Sequence, residues 1–326
     1  MTRLWLLRLV PGVRYGRWLS ALVVFAAMFA LLSSARSLMD AGQTYNWFIA
    51  LFFCVIVAYI TPIFHFITQR TEEAFDELTP ALSLDAERLA SLRAGISNKS
   101  DGWVVYNAIL SVSLWLLQSL LLAGGFAEMF RSISSSVDNF VVAVAPLAVW
   151  LTMTCALHAL IDNAWMFRRL TRHIEVDVLD TRALTPFGRM AASSTLVVVG
   201  AQASFSIMWM GAMTNPWTTI PPMFPTTAAL LILFFAPVWP LHVALKQAKQ
   251  KELAHIQASI NRIRSTDEHG YDRISPLLSY RREVLGTREW PFDLGIVTRL
   301  GLYLVIVPLT WIGAALIENV VDLFIA

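Results

Sequence analysis

The chain has 326 residues, 56% of them hydrophobic, a mean hydropathy of +0.59 and a net charge of +2. Only 15% of the residues are charged, against about 25% in a soluble domain, so lipid rather than water is the expected solvent. Cys54 and Cys155 lie in separate apolar runs, which excludes a disulfide framework or a metal knuckle and leaves two small buried hydrophobes.

Charge-free apolar windows predict an all-α integral membrane helical bundle of about seven transmembrane helices in a single domain. The first covers about 18–36. Arg3, Arg8, Arg14 and Arg17 before it resemble a secretory leader, but the uncharged run from Trp18 to Ala35 is long enough to span and reads as an uncleaved helix. The next three lie at about 45–68, 103–126 and 139–161. Met190 to Leu245 is free of charge and too long for one helix. The prolines at 216, 221, 222 and 225 predict a break there, giving spans at about 190–213 and 226–245. The seventh falls at about 294–317.

Alternate loops then divide the basic residues 23 to 2, with only Arg36 and Arg131 on the poorer side. The positive-inside rule puts the N-terminus and the segments 69–102, 163–189 and 246–293 in the cytoplasm, and the C-terminus outside. Trp18, Trp103, Trp165 and Trp290 fall near the inner boundary, and Trp47 and Trp217 near the outer one, as an interfacial aromatic belt does.

In the first inner segment Thr79-Pro80 stops a helix, and a short helix follows with Leu84, Leu89 and Leu92 on one side and Gly95 at its end. It is expected along the membrane surface or against its neighbours. In the second, Thr185-Pro186 reads as a helix start. The third continues span six as a cytosolic helix with an apolar seam of Leu253, Ile256, Ile260 and Ile263. That seam packs either on other inner loops of the same chain or on a second copy in a homo-oligomer. Residues 265–290 read as a mostly polar inner loop.

Soluble-enzyme signatures are absent: no phosphate loop, GxGxxG, HExxH, GxSxG or CxxC. No catalytic residue is assigned. Polar groups at membrane depth are the remaining candidates. His65, His158 and His242 match in depth near the inner boundary, and Asp162 follows His158 at i, i+4. Together they suit a metal site, a haem ligand pair or a proton relay; singly they suit headgroup-level helix ends. Asn107, Gln118, Thr152, Gln202 and Ser206 form either a polar path through spans three to five or interhelical hydrogen bonds. Pro237 and Pro240 predict a break in span six before His242.

The run Phe75-Asp76-Glu77-Leu78-Thr79-Pro80-Ala81-Leu82, and Pro240-Leu241-His242 leading into Lys249-Gln250-Lys251-Glu252-Leu253, resemble a pattern in uncharacterised bacterial polytopic inner-membrane proteins. The resemblance covers a minority of the chain. It implies a bacterial inner membrane and carries no activity.

The leading expectation is an ion channel or small-solute transporter. The alternatives are a non-transporting scaffold or sensor engaging a cytosolic or membrane partner through its inner face, and a membrane metal or haem protein. No resident cofactor and no nucleic-acid partner are expected.

Overall fold

The computed structural model describes residues 2–37, 47–123, 125–134, 137–174, 177–209, 216–266, 271–287 and 290, together with Gly295, Thr298, Gly301, Leu302, Val305, Leu309, Gly313 and Leu316. Apart from one two-stranded pairing, it is helical.

A two-residue strand, Thr2–Arg3 (β1), and a short helix, Trp5–Arg8 (α1), precede Gly16–Ser37 (α2). Then come Trp47–Leu78 (α3), Ala86–Ser97 (α4), the strand Asn98–Lys99 (β2) and Asp101–Ala123 (α5). Phe126–Ser134 (α6) leads to Val137–Leu170 (α7). Thr185–Ser204 (α8) and Ser206–Trp209 (α9) precede a helix of 51 residues, Pro216–Thr266 (α10). Tyr271–Gly286 (α11) folds back on it.

Among the described residues five helical stretches are long and apolar enough to cross a membrane: Gly16–Ser34, Trp47–Ala81, Asp101–Leu120, Ala145–His173 and Ala228–Ser265. They match expected spans one to four and six. Expected span five corresponds to α8, whose apolar content is diluted by Gly, Ala, Ser and Thr, and its last residues, 210–213, lie outside the described ones. Expected span seven, 294–317, lies almost wholly outside them.

α8 is the most enclosed helix. Ala191, Ser194 and Thr195 are fully buried, and both α3 and α10 pack on the helix. Small residues permit this approach. Gly200 is the tightest point: the Tyr59 ring of α3 crosses it and its Oη donates to the Leu196 carbonyl at 2.7 Å. A Cβ at Gly200 would lie 2.0 Å from that hydroxyl. In α3 itself, Thr61, Thr68 and Thr71 turn their hydroxyls back to carbonyls four residues earlier. That satisfies polar groups on an otherwise apolar face.

The segments expected on the inner side meet at one end of the bundle. β1 pairs antiparallel with β2, Thr2 opposite Lys99. Arg17 donates to Gln69. Ser83 N–H donates to the His173 carbonyl at 2.9 Å, and Arg189 pairs with Glu77 at 2.7 Å. A second core lies beneath them, with Phe75, Leu78, Ile96, Phe167, Phe187 and Leu241 buried. Leu84, Leu89 and Leu92 of α4 pack onto it, so α4 lies against its neighbours.

Three expectations need correction. The 265–290 region is a helix, α11, from Tyr271 to Gly286, rather than a polar loop. Its Ile274, Leu277, Tyr280 and Val284 join Val178 in covering Leu253, Ile256 and Ile260. The seam is thus filled from within the chain, with Ile256 and Ile260 at 2% and 4% exposure; Ile263 is only half-buried. The proline cluster does not end a helix: α10 begins at Pro216 and runs on through Pro221, Pro222 and Pro225. Pro237 and Pro240 do not break α10 either. Proline is tolerated in a membrane helix because neighbouring groups re-satisfy the freed carbonyls.

Candidate functional site

The densest polar cluster of described residues lies where α5 meets α7, at the basic end. Ser100 precedes α5, and its Oγ accepts from the Trp103 N–H at 3.2 Å, the bond expected of a serine cap. That start sets Trp103, Asn107 and Ser111 one turn apart on the face toward α7. On α7 the same spacing sets His158 above Asp162.

Asp162 is the hub. Its Oδ2 accepts from Trp103 Nε1 at 2.8 Å and lies 3.4 Å from Lys99 Nζ. Its Oδ1 lies 3.6 Å from His158 Nε2. His158 Nδ1 meets Asn107 Oδ1 at 2.9 Å, while Asn107 Nδ2 donates to the Trp103 carbonyl at 2.8 Å. The imidazole stacks on Trp103 with centroids 4.9 Å apart, and Tyr106 closes its edge. The amide oxygen of Asn107 can only accept, so Nδ1 carries a proton; Nε2 then donates to Asp162 only in the imidazolium form.

The Lys99 side chain is only 10% exposed, against 37% for Asp162. Burial pushes the Lys99 ammonium below its ordinary range, and the nearby Asp162 carboxylate partly opposes that. Lys99 and Asp162 also line a recess of about 430 Å³ under α4, whose wall includes Arg88, Asn163, Arg169 and His173. Asn163 is buried, and its Nδ2 has no hydrogen-bond partner among the described residues.

The structure thus joins His158 and Asp162, as their spacing suggested, and adds Asn107. His65 and His242 have other neighbours. His65 lies in the field of Arg17 and Arg3, and His242 stacks on Trp290 at 4.0 Å. Among the described residues no group of three His, Cys, Asp or Glu side chains could hold a metal ion.

The expected path residues do not gather round one channel. Thr152 Oγ1 donates to the Ala148 and Val149 carbonyls of its own helix, and Ser206 Oγ to Ala203. Gln118 is exposed on α5 and accepts from Trp150 Nε1 at 2.5 Å. Gln202 is buried on α8. Between α3, α7, α8 and α10 lies an apolar-walled void of about 20 Å³, bounded by Ile60, Met153, Leu157 and Val198, room for roughly one water.

Sequence reasoning missed Lys99, Trp103 and Tyr106. Trp103 stands one turn before Asn107, a signal that was present but taken for interfacial anchoring. Lys99 could be found only by knowing that β2 lies beside α7. No family model, curated protein or solved structure matches the chain.

Proposed function

We propose that this is a seven-span protein of the bacterial inner membrane, N-terminus and basic end in the cytoplasm, that works as a scaffold or sensor through that end. The observation that carries this reading is a contrast. The segments at the basic end are bonded into one shaped cap with open recesses, whereas the polar groups buried among the described helices are scattered hydroxyls and amides, most of them bonded to carbonyls of their own helix, and line no common path. The 23-to-2 division of Lys and Arg supports the orientation. Flux of H⁺, K⁺, Na⁺ and Cl⁻ into proteoliposomes tests it: none is expected above empty vesicles, and a clear protein-dependent flux overturns it. Orientation is tested with membrane-impermeant maleimide on intact cells. Glu128→Cys is expected to label and Ser91→Cys to be protected; the reverse result overturns the topology.

A second reading, a proton relay across the membrane, is favoured by the linked contacts of His158 with Asp162 and the buried Asn107. Under it, proton flux appears and His158→Ala abolishes it.

A further inference from the structure

Four ion pairs hold the described inner face together: Arg70 with Glu73, Arg93 with Asp76, Lys99 with Asp162, and Arg189 with Glu77. Arg168, Arg169 and Arg172 are different. They are exposed within two turns at the end of α7, and among the described residues none of them pairs with a carboxylate. They line a groove of about 520 Å³ between α7 and α10, with Trp165 and Pro240. Arg168 lies over the Trp165 ring, 4.7 Å from its centroid, which fixes a guanidinium at the interfacial aromatic level.

The groove does not stop at the cations. Trp165, Arg168 and Pro240 also border a second groove of about 410 Å³, which runs along α10 past Leu231, Ile232 and Phe235. These three side chains are 49%, 43% and 42% exposed, and Trp239 beside them is 56% exposed. One continuous surface therefore has an apolar trough at the proposed membrane depth and, at its cytoplasmic mouth, three guanidiniums that pair with no carboxylate among the described residues. Water, at about 30 Å³ per molecule, would fill the trough only against apolar walls. Pro240 adds a polar feature at the junction: it lacks the N–H that would bond the carbonyl of Ala236, and Ala236 lines the trough.

We propose that this surface is a binding site for one acidic phospholipid, its acyl chain in the α10 trough and its headgroup phosphate held by Arg168, Arg169 and Arg172. Guanidinium forks match phosphate oxygens. Basic pockets between membrane helices on the cytoplasmic side suit anionic headgroups. Unspecific contact with the lipid annulus would need no cluster of unpaired arginines beside a shaped trough. The site rests on the span assignment proposed above.

The test uses the full-length protein in vesicles and reads quenching of Trp165 fluorescence by brominated phospholipid, taken as the difference between wild type and Trp165→Phe. Brominated phosphatidylglycerol is expected to quench Trp165 more strongly than brominated phosphatidylcholine, by about fivefold in relative affinity for each arginine engaged. The triple variant Arg168→Gln, Arg169→Gln, Arg172→Gln should lose the preference while Trp165 remains quenched. Equal quenching by both lipids overturns the site. Absence of quenching by either overturns it too, since the trough would then be covered, for instance by the chain's own 294–317 segment. Trp18, 79% exposed on α2, is the control, read through Trp18→Phe. If neither lipid quenches Trp18, the span assignment fails; if only the Trp165 preference is missing, the lipid site alone fails.

Discussion

Gly200→Ala is the sharpest test of how α3 and α8 are joined. The added methyl would sit 2.0 Å from Tyr59 Oη and 2.1 Å from Cζ, well inside contact distance for carbon, about 3.5–4.0 Å. Both the helix backbone and the aromatic ring are stiff, so the ring must leave. Its bond to the Leu196 carbonyl goes with it, about 1 kcal/mol. Forced repacking adds about 1–3 kcal/mol. The expected cost is about 2–4 kcal/mol, read from reversible unfolding of purified protein in detergent micelles. Tyr59→Ala removes the obstacle, so a double-mutant cycle is decisive. On the Tyr59→Ala background the glycine substitution should cost less than about 0.5 kcal/mol, or stabilise slightly through helix propensity. If Gly200→Ala costs the same on both backgrounds, the tyrosine does not occupy that space and the reasoning is refuted.

The Lys99–Asp162 pair should respond asymmetrically. Asp162→Ala strands an ammonium that is 10% exposed and is expected to cost about 3 kcal/mol. Lys99→Met relieves the burial of that charge and leaves a carboxylate that is 37% exposed and bonded to Trp103, so it should fall within about 1 kcal/mol of wild type; equal costs would count against the pairing. Because the folded Lys99 lies below its ordinary value of 10.5, the folded chain binds fewer protons than the unfolded one between those two values. Stability should therefore rise with pH across that window and fall as pH drops through the folded value, and Lys99→Met should flatten the slope in a pH series of unfolding curves. Val284→Asp places a charge against Ile256 and Ile260, and is expected to detach α11 from α10. Limited proteolysis should then cut near 267–270 much faster, with the membrane helices unaffected; unchanged digestion would contradict the hairpin.

Charge and hydropathy made the bundle and its basic end legible, because lipid sorts those quantities over whole segments. The start of α8 at Thr185-Pro186 and the pairing of His158 with Asp162 were legible too, since both depend on neighbours within one turn. What failed was azimuth. His65, His158 and His242 share a depth, but depth says nothing of which side of each helix faces which neighbour, and only His158 faces α5. The seam from Leu253 to Ile263 announced a partner without saying whose. Val284 and Leu277, which cover it, sit in a stretch too polar on average to stand out, although the helix there runs on through Pro276. The prolines near Pro216 misled because rules taken from water overstate their helix-ending power where neighbouring helices supply the missing bonds.

The length of α10 has a mechanical meaning. At 1.5 Å per residue, 51 residues make a rod about 76 Å long, while the hydrocarbon layer is about 30 Å thick. Expected span six ends at 245, so residues 246–266 form the projecting shaft, about 31 Å long, stiffened near its tip by α11 strapped along it. Such a shaft is a lever: a 10° lean at the bilayer sweeps its free end through about 5 Å, close to one helical pitch of 5.4 Å. On the proposed orientation, small changes in membrane thickness or tension would reach the cell interior as displacements on that scale.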